Sequence, residues 1–219
     1  MKLSQNTSGA RGPARADDAG ENALSSLRSV TKSLHEELDR RLPLSQPNAG
    51  IEAYIDHLQH LRTWLGRYAA WEAEAIAGQP VEPSPRKQQL LARMDADLSD
   101  SSVPASIPAV AEKPAAKPAP LDMRQAAYRW GVDYVVEGSQ LGGTVLYRRL
   151  EAGLAPHPLT YLRGDGAETG ARWRAFMADL QREVSSQNEI SLACRGAVDA
   201  FSSLMESFGL VGPQAEAEV

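Results

Sequence analysis

The sequence predicts an all-α protein, a single-domain bundle of about six helices. Three observations predict it. Apolar residues recur at spacings of three and four through most of the chain. Proline and glycine punctuate those periodic runs rather than alternating apolar strands. No run of alternating strands appears; only YVV at 134–136 suggests one.

The elements follow in order. Over 22–42, Leu24, Leu27, Thr31, Leu34, Leu38 and Leu42 form one stripe, stopped by Pro43 and Pro47. A second helix over 51–77 carries Ile51, Tyr54, Ile55, Leu58, Leu61, Leu65, Tyr68 and Trp71 and ends at Gly78 and Pro80. A shorter one over 85–98 is organised by Leu90, Leu91, Met94 and Leu98. The segment 121–151 predicts a long, glycine-interrupted helix, and two more follow over 167–185 and 187–209. Residues 1–22 bury too little apolar surface to offset ordering entropy and read as a disordered tail. Residues 100–120, rich in Pro and Ala, read as a long loop within one domain of residues 23–212. Residues 213–219 read as a flexible C-terminus.

Composition excludes several functions. The 219 residues include 23 Lys+Arg and 28 Asp+Glu, for a net charge of −5, which argues against nucleic acid as a partner. No stretch approaches the ~20 apolar residues of a membrane span, and the N-terminal segment does not read as a signal peptide, so the expected setting is cytoplasmic without membrane association. One Cys among 219 residues cannot build a thiol-rich metal site or an iron–sulfur cluster. Metal chemistry therefore falls to His35, His57, His60 or His157, the four histidines of the chain, helped by carboxylates or by a ligand the metal brings with it.

Two segments stand out. In LRSVTKSLHEELD (27–39), Arg28, Thr31 and Asp39 lie within about 40° of His35 around a helix, and Lys32 about 60° away. Asp39, one turn on, can accept the imidazole's second N–H and raise its basicity as a ligand. Arg28 and Lys32 can meet anionic groups on the same flank. The alternative is a helix-flank histidine among ordinary i,i+4 ion pairs. In YVVEGSQLGG (134–143), Gly138, Gly142 and Gly143 together cost a helix on the order of 3 kcal/mol. Gly138 and Gly142 lie one turn apart and open that face to a flat object, to another backbone or to a bend. Together the two segments suit a planar cofactor that takes one axial ligand from His35 and leaves its other face open, as haem does.

These two motifs, with the helical order out to about 209, resemble the haem oxygenases, particularly the bacterial biliverdin-producing members. The resemblance implies haem held between a proximal and a distal helix. It implies oxidative opening of haem to biliverdin, CO and free iron, with dioxygen and an external electron donor such as a ferredoxin or a reductase. By resemblance, His35 is the axial ligand of the haem iron, with Asp39 as its acidic partner. Arg28, Lys32, Tyr134 and Arg174 fall at haem-binding positions, the basic ones near the propionates. Gly138, Gly142 and Gly143 fall on the distal helix against the haem. The sequence departs from the family at Ser139, where many members carry an Asp that orders water next to dioxygen. A water held by the Ser139 hydroxyl or local backbone is expected to serve instead.

Other readings compete. His57 and His60, at i,i+3, make half a metal site or pack between helices. His157 reads as a loop residue and Cys194 as packing volume. Trp64, Tyr68, Trp71, Trp130, Trp173 and Phe176 read as core, with one or two lining the cofactor. The YRRLE run (147–151) reads as a solvated helix end. A non-haem member of the same helical architecture, either a di-iron oxidase or a thiaminase-like hydrolase, would want carboxylate–His sets or a pocket cysteine that this sequence lacks. A haem-binding protein without turnover, or one supplying a bilin-binding photoreceptor, remains as the other class.

Overall fold

Seven α-helices make up the frame of the computed structural model, which describes residues 16–79, 83–108 and 120–210. They are α1 (Ala16–Arg41), α2 (Ile51–Ala75), α3 (Pro85–Leu98), α4 (Ala126–Leu150), α5 (Thr160–Arg163), α6 (Thr169–Glu183) and α7 (Gln187–Ser207). No strand occurs among the described residues, and Tyr134, Val135 and Val136 lie in α4.

The largest interface joins α4 to α7, and α1 packs on α7 beside it. Two glycines permit the α4–α7 approach. A Cβ built on Gly131 would lie 1.9 Å from the carbonyl oxygen of Ala193, and one on Gly196 would lie 2.2 Å from that of Tyr128. Any side chain at either position would push the helix backbones apart. The core between the helices is filled by residues of the predicted stripes: Leu27 and Leu38 of α1 and Leu42 just after it; Tyr54, Ile55, Leu58, Leu61, Leu65 and Tyr68 of α2, with Trp64 beside them; Leu90 and Met94 of α3. The α7 start carries a capping box, in which the Ser186 side chain and the Glu189 side chain satisfy each other's backbone amides.

The structure corrects the sequence reading at several boundaries. Residues 16–22, expected in a disordered tail, continue α1. Extending a formed helix costs far less than nucleating one, so the buried stripe downstream carries the helix back past its own apolar residues. Residues 1–15 lie outside the described residues, as do 109–119 of the Pro/Ala-rich loop and 211–219 at the C-terminus. The predicted helix 121–151 begins as a 3₁₀ turn over Leu121–Arg124, breaks at extended Gln125, and becomes α-helix only at Ala126. Its glycines do not interrupt it, because the faces they leave bare are either packed or opened to a cavity. The short α5 has no periodic signal and was not expected. No helix among the described residues is long and apolar enough to cross a membrane.

Candidate functional site

Helices α1, α2, α4, α5 and α7 enclose a largely apolar cavity of about 480 Å³. That volume lies within the range of small-molecule and cofactor sites. On the α1 side it is lined by His35, Leu38, Asp39 and Leu42, and on the α4 side by Val135, Gly138, Ser139, Gly142 and Gly143. The two motifs singled out in the sequence therefore face each other across one space. His35 and Asp39 of the α1 motif and Gly138, Ser139, Gly142 and Gly143 of the α4 motif reach the cavity because they fall on the flank of each apolar stripe.

His35 sits at the edge of the core. Its side chain is 52% exposed, its ring lies 4.9 Å from that of Phe201, and its Nδ1 is 3.8 Å from Asp39 Oδ2. Asp39 is 74% exposed, so this contact is loose and water-screened. Thr31, one turn earlier, is fully buried and donates its hydroxyl to the Leu27 carbonyl at 2.8 Å.

The three glycines of the 134–143 motif differ. A Cβ on Gly142 would meet nothing within 4 Å; one on Gly138 would touch the Trp173 ring at 3.7 Å; one on Gly143 would pack on Leu162 at 3.6 Å. Packing therefore accounts for none of them as glycine. At Gly142 the missing side chain leaves cavity volume open, which is the cradle a flat ligand needs. The apolar lining, the His35 imidazole on the α1 side and this bare helix face on the other together fit haem.

Ser139 borders the cavity, with its hydroxyl donated back to the Val136 carbonyl at 2.7 Å. A hydroxyl has a single proton, so toward the cavity Ser139 is an acceptor. Arg28 and Lys32 are exposed on α1, and Lys32 lies 4.0 Å from Glu36. Tyr134 is buried on α4, its ring 5.7 Å from that of Trp173. Burial raises its pKa, opposed by Thr31 and by the charge of Arg28. Arg28, Thr31 and Tyr134 thus share one edge of the α1–α4 interface without lining the cavity. Arg174 is exposed on α6 and is likewise not among the lining residues.

Several residues have places in the structure that sequence reasoning did not assign them. His57 lines the cavity and stacks on Phe208 at 5.1 Å; burial pushes its pKa down to about 4. His60 pairs with Asp56 at 3.5 Å, so His35 is not alone in having a carboxylate one turn away. Arg149, expected on a solvated helix end, lines the cavity and donates to the carbonyls of Leu44 and Ser45. The aromatics at the cavity are Tyr161, Phe201 and Phe208, and none of the six tryptophan, tyrosine and phenylalanine residues named from the sequence lines it. His157 is a loop residue, as expected, but a buried one, with Nε2 donating to the Asp97 carbonyl and Nδ1 accepting from the Leu159 amide.

Behind the α4 wall lies a buried ion-pair network. Arg86 is 3.2 Å from Glu137 and 2.8 Å from Asp165, which also pairs with Arg93 at 2.7 Å. Lys87, 2% exposed, lies between Glu72 at 3.3 Å and Asp133. Burial opposes the Lys87 charge, but Asp133 and Glu72 outweigh it and raise its pKa. Burial likewise opposes the Asp165 charge, and hydrogen bonds from Arg93 and Arg86 reverse the effect.

The haem oxygenase family model matches this chain over residues 21–209. A protein of Xanthomonas campestris pv. campestris (strain 8004), named Heme oxygenase, is 42% identical over 91 residues, which cover 40% of this chain. The matched segment spans about half of that relative, 53% of its length. With the family model covering most of the sequence, and an all-α frame that sets the histidine motif of α1 opposite the glycine motif of α4, the chain belongs to the haem oxygenase family.

Proposed function

We propose that this protein binds haem in the α1–α4 cavity and opens it oxidatively to biliverdin, CO and free iron, with dioxygen and an external electron donor. One observation carries the reading: His35 and the open side of Gly142 face the same apolar cavity. Bound haem supplies the redox-active iron and is itself the substrate. His35 would hold the haem iron, with Asp39 one turn on as its acidic neighbour, 3.8 Å from Nδ1. A neutral imidazole gives none of the electron push of a thiolate ligand. Gly138, Gly142 and Gly143 keep side chains off that face of α4 and would let the haem ring approach it. Arg28, near Tyr134, and Lys32, exposed on the same helix, would meet the propionates by charge-assisted hydrogen bonds, with Arg174 of α6 as a further basic candidate. Ser139 offers an acceptor oxygen that can hold a water in the cavity. A ferredoxin or a reductase would supply electrons, a bilin-binding photoreceptor could take the product, and a cytoplasmic setting suits a chain with a lone cysteine.

Adding hemin to the purified protein, then a reductant in air, tests this directly. A Soret band that bleaches toward bilin absorption is expected. No Soret band would sink the reading. His35→Ala should lose or alter the band; a spectrum matching wild type would remove His35 as ligand. Haem binding without turnover is favoured by Ser139, whose only proton goes to the Val136 carbonyl. In that case the Soret band persists under reductant and air.

A further inference from the structure

The cavity wall opposite α1 contains a phenol that the family motifs do not mark. Tyr161, on α5, lines the cavity beside Ser139 and Gly142 and is 4% exposed. Its hydroxyl accepts a hydrogen bond from Gln140 Nε2 at 3.0 Å, and Gln140 Nε2 also lies 3.4 Å from Ser139 Oγ. The donor bookkeeping of this trio is restrictive. Gln140 Nε2 can only donate, and the Ser139 proton goes to the Val136 carbonyl. The Tyr161 O–H is then the one hydroxyl proton of the three side chains that no backbone carbonyl takes. It can go to Ser139 Oγ or into the cavity.

The main chain that carries this phenol is tightly held. Asp97, fully buried at the end of α3, accepts from the amides of Thr160 and Tyr161, both at 2.8 Å, and from the Tyr54 hydroxyl. The residue before α5, Leu159, is held in the left-handed region at φ 50°, with its amide donated to His157. A left-handed leucine is strained and persists only where its surroundings demand it. Here the surroundings fix the direction of Tyr161. Burial raises the phenol's pKa, against the opposing effects of Ser139, Gln140, Arg86 and Arg93, so the group stays protonated at neutral pH.

We propose that the Tyr161 hydroxyl is the hydrogen-bond donor of the distal wall, aimed by Gln140 and by the Asp97 clamp, in the place of the carboxylate that Ser139 lacks. The inference rests on the haem reading above. It makes Tyr161 a residue that meets whatever small ligand or water lies between the haem and α4, and Gln140 a positioning residue. A preorganised donor aimed at that space needs no reorganisation when charge develops there.

The test compares wild type, Tyr161→Phe and Ser139→Ala, each loaded with hemin. Soret titrations of Tyr161→Phe should match wild type within about threefold, since only a hydroxyl is removed. The pH-dependent spectral transition of its ferric complex should move by about one pH unit, the worth of one hydrogen bond. Bilin formation should slow by at least about tenfold, and by less in Ser139→Ala. A Tyr161→Phe protein with the wild-type transition and the wild-type rate would overturn the inference while leaving the haem reading intact. If Tyr161→Phe fails to load, Gln140→Met carries the test: it keeps the phenol but frees its direction. Smaller shifts in the same sense support the proposal, and none overturns it. No Soret band in wild type would remove both readings.

Discussion

The two walls of the cavity are built differently. The α1 wall presents His35 on a half-exposed helix face, steadied by a ring contact with Phe201 and one loose pair with Asp39. The α4–α5 wall is backed by buried charges, by a left-handed turn held by Asp97 and His157, and by a side-chain chain from Gln140 to Tyr161. The difference teaches where the protein spends its folding free energy. If His35 ligates iron as proposed, the metal–imidazole bond brings its own geometry and strength, and the α1 wall needs little support. A hydrogen-bonding wall must be fixed beforehand, because an individual hydrogen bond is too weak to organise its own surroundings.

Breaking the charged backing of the α4 wall should have the largest effect. Lys87→Met strands Glu72 and Asp133 without their cation, and removing one member of a buried pair costs about 3–5 kcal/mol. Urea unfolding should show it as a fall in midpoint. Acid should act next, through the cavity floor between the walls. His57 titrates near 4 in the folded protein against 6.5 unfolded, so the unfolded state binds the extra proton first. Its contribution is complete above about pH 6.5 and is lost on acidification through pH 4, at about 1.4 kcal/mol per pH unit within that window. Unfolding free energies measured from pH 7 to pH 4 should fall accordingly, and His57→Leu should flatten that limb.

Gly131→Ala should follow, at about 1–3 kcal/mol, because its methyl meets the Ala193 carbonyl where α4 crosses α7. Gly142→Leu separates fold from ligand. Its new side chain meets no protein atom near Cβ, and leaving glycine gains helix propensity of up to about 1 kcal/mol. The apoprotein should unfold no earlier than wild type, while hemin titration should weaken by roughly tenfold or more. An unchanged hemin affinity would contradict the placement of haem against α4. On the α1 wall, Asp39→Asn should cost the apoprotein less than about 1 kcal/mol, as exposed pairs do. A larger loss in thermal unfolding would mean that the α1 wall is more tightly held than its geometry implies.

Local patterns in the chain account for much of this. Helix α3 starts and stops where Pro85 and Leu98 predict. His35 and Gly142 share a cavity because each lies on the inner flank of a stripe readable at 100° per residue. The residues that sequence reasoning passed over share a different character. Tyr161 lies in a four-residue helix too short to show periodicity, and His57 reads locally like any histidine on an amphipathic helix. Arg149 looks like the solvated end of α4 until the turn at Leu44 and Ser45 comes to meet it.

Periodicity, proline and glycine determined the helices, their inner faces and the two motifs, because those signals act between residues a turn or two apart. Tertiary structure alone decided that Gln140 meets Tyr161, that Asp97 caps the turn carrying it, and that Gly131 and Gly196 let α4 and α7 touch backbone to backbone. These are contacts between segments distant in the chain. Their energy depends on how whole faces pack, and no local pattern in the sequence encodes which faces will meet.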